Sequence, residues 1–331
     1  METIRTAVVG VGYLGAFHAE KYAALPASRL VAVVDIDAAR ARTVGERLGV
    51  PALTDYRALE GEVDAVSVVV PTPAHFEVAD FFLRRGVHVL VEKPIASSVA
   101  QAERLIGAAH DTGCLLQVGH LERFNPAVQA VRERLHAPLF IEVHRLAPFK
   151  SRGTDVNVVM DLMIHDIDII LSIVDAPITY SSTVGVPVLT DSEDIANVRL
   201  EFANGCVANV TASRVSNRTE RKMRIFEPDA YYSIDFQEKS VAVHRRSPGG
   251  NGARPEEVDI EVERLGFGEV DALRVQLESF LQAVRTGGAP VVSGEDGLRA
   301  LEIALRISAR LRRSPPAQVA AAQAADRSVR M

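Results

Sequence analysis

The chain has 331 residues, 47% of them hydrophobic and 24% charged, with a formal net charge of −6. That length exceeds the reach of one hydrophobic core, so two domains are expected, and the composition is too apolar for a disordered chain. The acidic balance argues against a nucleic-acid partner, and no apolar run is long enough to span a bilayer. Cys114 and Cys206 cannot build a disulfide framework and lack metal-ligand spacing, so no metal centre is expected. The apolar run 7–17 carries three spaced glycines and little positive charge ahead of it, unlike a secretory leader. A cytoplasmic protein is the expectation.

In chain order, residues 4–9, 29–34, 63–70, 87–91 and 114–118 are Val-rich runs without period-2 polarity. Strands of that kind belong to a parallel sheet covered on both faces. Between them, 12–25, 37–48, 75–85 and 97–112 have the length of crossover helices. The alternation predicts an α/β domain, a doubly wound parallel sheet of Rossmann type, over residues 1–120. Beyond it, 139–146, 194–202, 206–212, 222–226 and 231–236 alternate apolar and polar residues, and Asn204-Gly205 marks a hairpin. A C-terminal α+β domain with a largely antiparallel open sheet is expected over 121–313. Residues 245–257 read as a loop and 294–312 as a helix, which could return to the first domain; 314–331 read as a frayed, Ala-rich tail.

Gly10-Val11-Gly12-Tyr13-Leu14-Gly15 follows the first strand and opens the first helix. Gly10 permits the tight turn, Gly12 lets the backbone approach a pyrophosphate, and Gly15 allows close helix–strand packing. Helix N-terminal amides, at Tyr13 and Leu14 among others, then face the diphosphate. Asp35 ends the next strand about 20 residues beyond Gly15, the spacing of a carboxylate on the adenosine ribose. Beside Asp35 and Asp37 a 2′-phosphate would meet like charge, so NAD is favoured over NADP; Arg40 reads as an exposed cation on the following helix.

Residues 156–174 are apolar almost all round and read as one buried helix. At roughly 100° per residue Asp161, His165, Asp168 and Ser172 share a narrow face. Buried carboxylates are costly unless paired or turned toward a polar cavity. A mutually satisfied core pair, a metal site and a catalytic pair all fit such a face.

The sequence Val70-Pro71-Thr72-Pro73-Ala74-His75, then Val91-Glu92-Lys93-Pro94, lies at carboxyl ends of expected strands, and Asp161-Leu162-Met163-Ile164-His165 follows in the second half. With the glycine fingerprint, this order resembles the Gfo/Idh/MocA oxidoreductase family over nearly the whole chain. The resemblance implies that Lys93 is the catalytic lysine and that Asp161 and His165 are an Asp–His pair, His165 serving as acid/base. It also implies that Pro71, Thr72 and His75 line the cofactor, that Glu92 is a cofactor-side carboxylate, and that the protein is a homodimer or homotetramer. Members oxidise a secondary hydroxyl of a sugar or cyclitol, or reduce the corresponding ketone, by hydride transfer with a nicotinamide. Such chemistry needs a base titrating near neutrality, which suits His165.

Residues 118–126 and 158–168 look similar to the family's nucleotide-sugar branch, nearest the UDP-N-acetylglucosamine 3-dehydrogenase group. That likeness implies a 3-keto product, a following aminotransferase and a place in lipid A biosynthesis. An inositol or free-sugar dehydrogenase and a non-catalytic NAD-binding regulator are the alternatives. Between Glu142 and Asp155 stand His144, Arg145, Lys150 and Arg152 without an acidic residue. Lys150 and Arg152 are the expected diphosphate anchors, with Arg123 and Asn125 completing the substrate contacts. A second basic run, Arg214, Arg218, Arg221, Lys222 and Arg224, follows the hairpin. Val198, Leu200, Phe202, Ala208 and Val210 alternate as a face buried by self-assembly would.

Overall fold

The computed structural model describes residues 3–150, 156–246 and 260–313. The described residues form two compact units, one within 3–124 and 271–302 and one within 125–270 and 303–313. No helix among the described residues is long and apolar enough to cross a membrane.

In the first unit, β1 (Ile4–Val9), β2 (Ser28–Val34), β3 (Ala52–Leu53), β4 (Ala65–Val68), β5 (His88–Glu92) and β6 (Leu116–Gly119) pair in parallel, in the order β3-β2-β1-β4-β5-β6. Four helices connect them: α1 (Tyr13–Ala24), α2 (Ala38–Leu48), α3 (Thr72–Leu83) and α4 (Val99–Thr112). Local chemistry sets their ends. The Asp37 carboxylate accepts from the amides of Ala39 and Arg40 to open α2, and Ser98 accepts from Gln101 to open α4. Gly49 and Gly113, both at positive φ, end the same two helices. Every residue of β4 is buried, as a strand covered on both faces requires. The strand order reverses between β1 and β4, and ligands bind at the carboxyl edge of such a switch point.

A segment not expected from the sequence pattern completes this unit. Asp271 caps α7 (Ala272–Thr286), whose Leu273, Leu277, Phe280 and Leu281 pack in one cluster with Ile4, Val8 and Tyr22. Their i, i+4, i+7, i+8 spacing is the signal that could have placed it. A short bridge from Gln117 to Ser293 follows. Of α8 (Gly294–Arg313), residues up to 302 belong to the first unit.

The second unit holds an eight-stranded sheet of β7 (Phe140–Leu146), β8 (Ile178–Val186), β9 (Ile195–Phe202), β10 (Val207–Ser213), β11 (Glu220–Phe226), β12 (Ala230–Asp235), β13 (Ser240–Arg246) and β14 (Ile260–Gly266). The order is β14-β13-β12-β11-β7-β10-β9-β8, antiparallel except for the β7–β10 pair. The expected hairpin is present: Gly205 takes φ +86° and Asn204 Oδ1 accepts from the Cys206 amide at 3.1 Å. Strands β8, β13 and β14 are not among those expected from the sequence; residues of the expected loop 245–257 begin inside β13, and those from 247 to 257, like the tail 314–331, lie outside the described residues. α5 (Pro126–Arg132) packs on β12 and β13.

Two expectations change. Val198, Leu200, Phe202, Ala208 and Val210 are at most 3% exposed within the single chain, because helices of the same unit cover that side, so their alternation carries no argument for assembly. The opposite side is polar, with Glu142, His144, Asn197, Arg199, Asn209 and Thr211 facing a shallow open pocket. The second change concerns the expected helix 156–174, which is a π-helical turn, Val159–Met163, running into α6 (Ile164–Ile173). It is not buried all round, since Met160, Asp161, Leu162, His165 and Ser172 are partly exposed. The i→i+5 bonding of the π turn departs from 100° per residue, and Asp168 is buried while Asp161 and His165 are not.

Buried charge ties the start of this turn to the sheet. Asp194 Oδ2 accepts from the amides of Val188, Leu189 and Thr190 at 2.8, 2.6 and 2.9 Å. Its Oδ1 meets Arg214 Nε at 2.8 Å, and Arg214 Nη1 donates to the Val156 carbonyl at 2.7 Å. Burial by itself would raise the Asp194 pKa; the Leu189 amide, the Arg214 guanidinium and the other amides outweigh it and hold the carboxyl well below the usual range. A depressed folded pKa contributes stability that is complete above the unfolded value of about 4 and lost as pH falls toward the folded one. Removing the charge from a buried pair costs about 3–5 kcal/mol. Asp194→Asn is therefore expected to lower the urea midpoint strongly at pH 7 and by a smaller amount at pH 3, where the wild type has begun to lose the same contribution. Equal losses at both pH values would contradict this account.

Candidate active site

The glycine turn is shaped by close contacts. Gly10 has φ +88°, and a Cβ there would lie 2.5 Å from the Val69 carbonyl oxygen; one at Gly15 would lie 1.8 Å from the Gly10 oxygen. No side chain larger than hydrogen fits at either place without moving backbone. At Gly12, by contrast, a Cβ would meet nothing within 4 Å, and this residue starts α1 with no side-chain cap. The first-turn amides thus remain open to a ligand, flanked by the exposed side chains of Tyr13 and Leu14. An open helix N-terminus behind a concave glycine backbone fits a dinucleotide's pyrophosphate.

Asp35 is buried beside this turn. Its Oδ2 accepts from the Val11 amide and its Oδ1 from the Asp37 amide, both at 3.0 Å. Arg40 Nη1 lies 3.1 and 3.2 Å from the two oxygens, and Nη2 lies 3.4 Å from Asp37. Arg40 is therefore more than an exposed cation. It offsets the charge on which discrimination against a 2′-phosphate rests.

Pro71 and Thr72 start α3 at the carboxyl edge of the sheet. His75 is buried, with Nδ1 at 2.8 Å from the Pro94 carbonyl and Nε2 at 2.8 Å from that of Val70. Its ring stands between these two loops with a carbonyl at each nitrogen, so a neutral ring donates to one of them at a time. Burial holds its pKa below the ordinary value, against the pull of the carbonyls, so the neutral ring has one N–H to donate. Glu92 ends β5, nearly buried, and half-buried Lys93 follows on a cis Lys93–Pro94 peptide. Glu92 Oε1 lies 3.3 Å from His18 Nε2, a histidine that the sequence reading passes over and whose signal was an imidazole on the buried side of α1.

Asp161 and His165 stand in the second unit, partly exposed, on the π turn and the first turn of α6. π turns inside helices recur at functional sites. The neighbouring Asp166 points to the sheet, where Arg145 Nε and Nη2 reach its two oxygens at 2.7 and 2.8 Å. This buried bidentate pair holds the start of α6 against β7.

The expected substrate cations divide. Arg145 and Arg214 are buried in ion pairs, because both lie on inward positions at the ends of β7 and β10. Arg123 is buried beside Asp296 at 3.4 Å. Asn125 caps α5, its Oδ1 accepting from Ala127 and its Nδ2 donating to the Phe236 carbonyl. Arg218, Lys222 and Arg224 pair with Glu220, Asp235 and Glu142 on the polar side of the sheet. Lys150 is exposed just beyond β7, and Arg152 lies outside the described residues.

Two family models match the chain: the oxidoreductase family's NAD-binding Rossmann fold over residues 4–120, and its C-terminal alpha/beta domain over 142–314. UDP-N-acetylglucosamine 3-dehydrogenase of Acidithiobacillus ferrooxidans is 42% identical over 309 residues, 92% of this chain and 96% of that one. A solved structure of that enzyme superposes with a TM-score of 0.86 over 93% of this chain and 98% of the other, at 40% identity. The scyllo-inositol 2-dehydrogenase (NAD(+)) of Bacillus subtilis is 28% identical over 338 residues, 96% of each chain. A levoglucosan dehydrogenase in complex with NADH and levoglucosan, 17% identical and covering 94% of this chain and 98% of its own, shares the fold at a TM-score of 0.80. With both domains matched and an open glycine turn at the switch point, the chain belongs to the Gfo/Idh/MocA oxidoreductase family and is a dehydrogenase of CH–OH donors.

Proposed function

We propose that the protein oxidises a secondary hydroxyl of a sugar nucleotide, UDP-N-acetylglucosamine at C3, to the 3-keto sugar with NAD as acceptor. The observation that carries this reading is the 42% identity to an enzyme of that name across 92% of the chain. The product of such a reaction is the substrate class of an aminotransferase.

Bound NAD supplies the hydride acceptor. The chain's part is to bind, orient and move a proton. The α1 amides and the glycine turn hold the diphosphate, and Asp35 accepts from the adenosine ribose. His165 takes the proton of the reacting hydroxyl, Asp161 orients the ring and stabilises the imidazolium, and the Lys93 ammonium steadies the developing alkoxide. In this reading the substrate diphosphate is met by Lys150 and Arg152, since Arg123, Asn125, Arg145 and Arg214 already have partners in place.

Purified protein with NAD and a panel of UDP-sugars, free sugars and cyclitols tests the substrate directly. NADH formation with UDP-N-acetylglucosamine is expected, and efficient turnover of an uncharged sugar in its place would overturn the reading. His165→Ala or Lys93→Ala is expected to lower kcat by about 10²-fold or more, with NAD affinity nearly unchanged. Near-wild-type turnover in His165→Ala would remove the base assignment. Lys150→Ala is expected to raise KM far more than it lowers kcat, because the diphosphate is bound alike in ground and transition states.

Cofactor choice is tested by a pair of variants. Asp35→Ala is expected to weaken NAD binding by about 1.5–3 kcal/mol, the worth of a charge-assisted hydrogen bond, and to narrow its lead over NADP. Arg40→Ala is expected to widen that lead, because it exposes the Asp35 charge that Arg40 offsets. Titration of both cofactors by fluorescence gives the two ratios, and a parent enzyme preferring NADP would overturn the assignment.

A further inference from the structure

A buried polar chain runs beneath the carboxyl edge of the parallel sheet, all of it within the first unit. Tyr22 and His18, on the inner side of α1, are fully buried. Tyr22 Oη lies 2.9 Å from Ser67 Oγ on β4, and Ser67 Oγ lies 3.2 Å from His18 Nδ1. His18 Nε2 stands 3.3 Å from Glu92 Oε1, at ion-pair distance. The other end of that carboxylate, Oε2, is 3.4 Å from the Lys93 amide. The carboxylate also occupies the place of a side chain at Gly119: a Cβ there would lie 2.6 Å from Oε1.

The protons in this chain have a consistent order. Burial pushes the Tyr22 pKa upward, so the phenol stays neutral and can donate. With Tyr22 as the donor to Ser67, the Ser67 hydroxyl is free to donate to His18 Nδ1, and that tautomer carries its proton on Nε2, the nitrogen nearest Glu92. Four polar groups from α1, β4 and β5 are thereby brought together in a place where each alone would be costly. None is explained by packing, since apolar side chains would fill the same volume without that cost. What the chain holds is the last residue of β5, whose successor is Lys93.

We infer that His18, supported by Ser67 and Tyr22, is a positioning residue: it fixes Glu92 against Gly119 and so sets the backbone from which Lys93 projects. The inference rests on the assignment of Lys93 made above. Glu92 acts through this contact, as the link between α1 and the lysine.

A misplacement of about 1 Å can cost 10²-fold in rate. His18→Ala is expected to lower kcat by about 10- to 100-fold, with KM and the NAD dissociation constant within about twofold of wild type. His18→Gln, which keeps a donor toward Glu92, is expected to recover most of the rate. Ser67→Ala carries the same test from the other side of the ring if His18→Ala does not fold, with a smaller loss in kcat and the same unchanged KM. Unchanged kcat in His18→Ala, or loss of kcat and NAD affinity together without rescue by Gln, would overturn the positioning role. Lys93→Ala, run beside them, separates the two readings. An active Lys93→Ala defeats the assignment of the lysine, whereas an inactive one with a fully active His18→Ala defeats only this inference.

Discussion

The contact between Gly15 and the Gly10 carbonyl decides how the first unit is put together. A methyl group at Gly15 would lie 1.8 Å from that oxygen, so α1 can pack against the end of β1 only where no side chain intervenes. Through this approach the Asp35 carboxylate reaches the Val11 amide at 3.0 Å, joining the ends of β1 and β2. It also brings His18 and Tyr22 over Ser67 of β4. One steric constraint thus aligns the strand ends that carry the glycine turn, Asp35 and the Glu92-Lys93-Pro94 stretch.

The second unit is organised by buried charge rather than by close backbone approach. Arg145–Asp166 and Arg214–Asp194 each place a guanidinium and a carboxylate out of water with their hydrogen bonds filled. Such pairs add little net stability over apolar residues of the same size, but losing one partner is expensive. Their effect here is on register. Each holds one end of the segment from Val156 to Asp166, and Asp161 and His165 lie between. The π turn is the local form in which that segment meets both anchors.

In both units, charged residues that stand out in the sequence are held by partners distant along the chain. Arg123 meets Asp296, Arg214 meets Asp194 and Arg145 meets Asp166. A basic run reads as a surface for anions only as long as those acids are unknown. Lys150, on an irregular stretch beyond β7, keeps its exposure.

Sequence by itself determined the elements whose cause is local. The parallel strands follow from continuous Val-rich runs, the helix ends from Asp37, Ser98 and the glycines at positive φ, and the β9–β10 hairpin from Asn204-Gly205. The family was legible for the same reason, since its motifs are short stretches at strand ends. Tertiary structure alone decided what depends on partners far apart in the chain. It placed 271–302 in the first unit by burying Leu277 and Phe280 against Ile4 and Tyr22, and it turned an expected straight helix into a π turn held by Arg214 and Arg145. It gave Glu92 a partner in His18. Periodicity reports which side of an element is apolar; it carries no information about which distant charge will be folded against it.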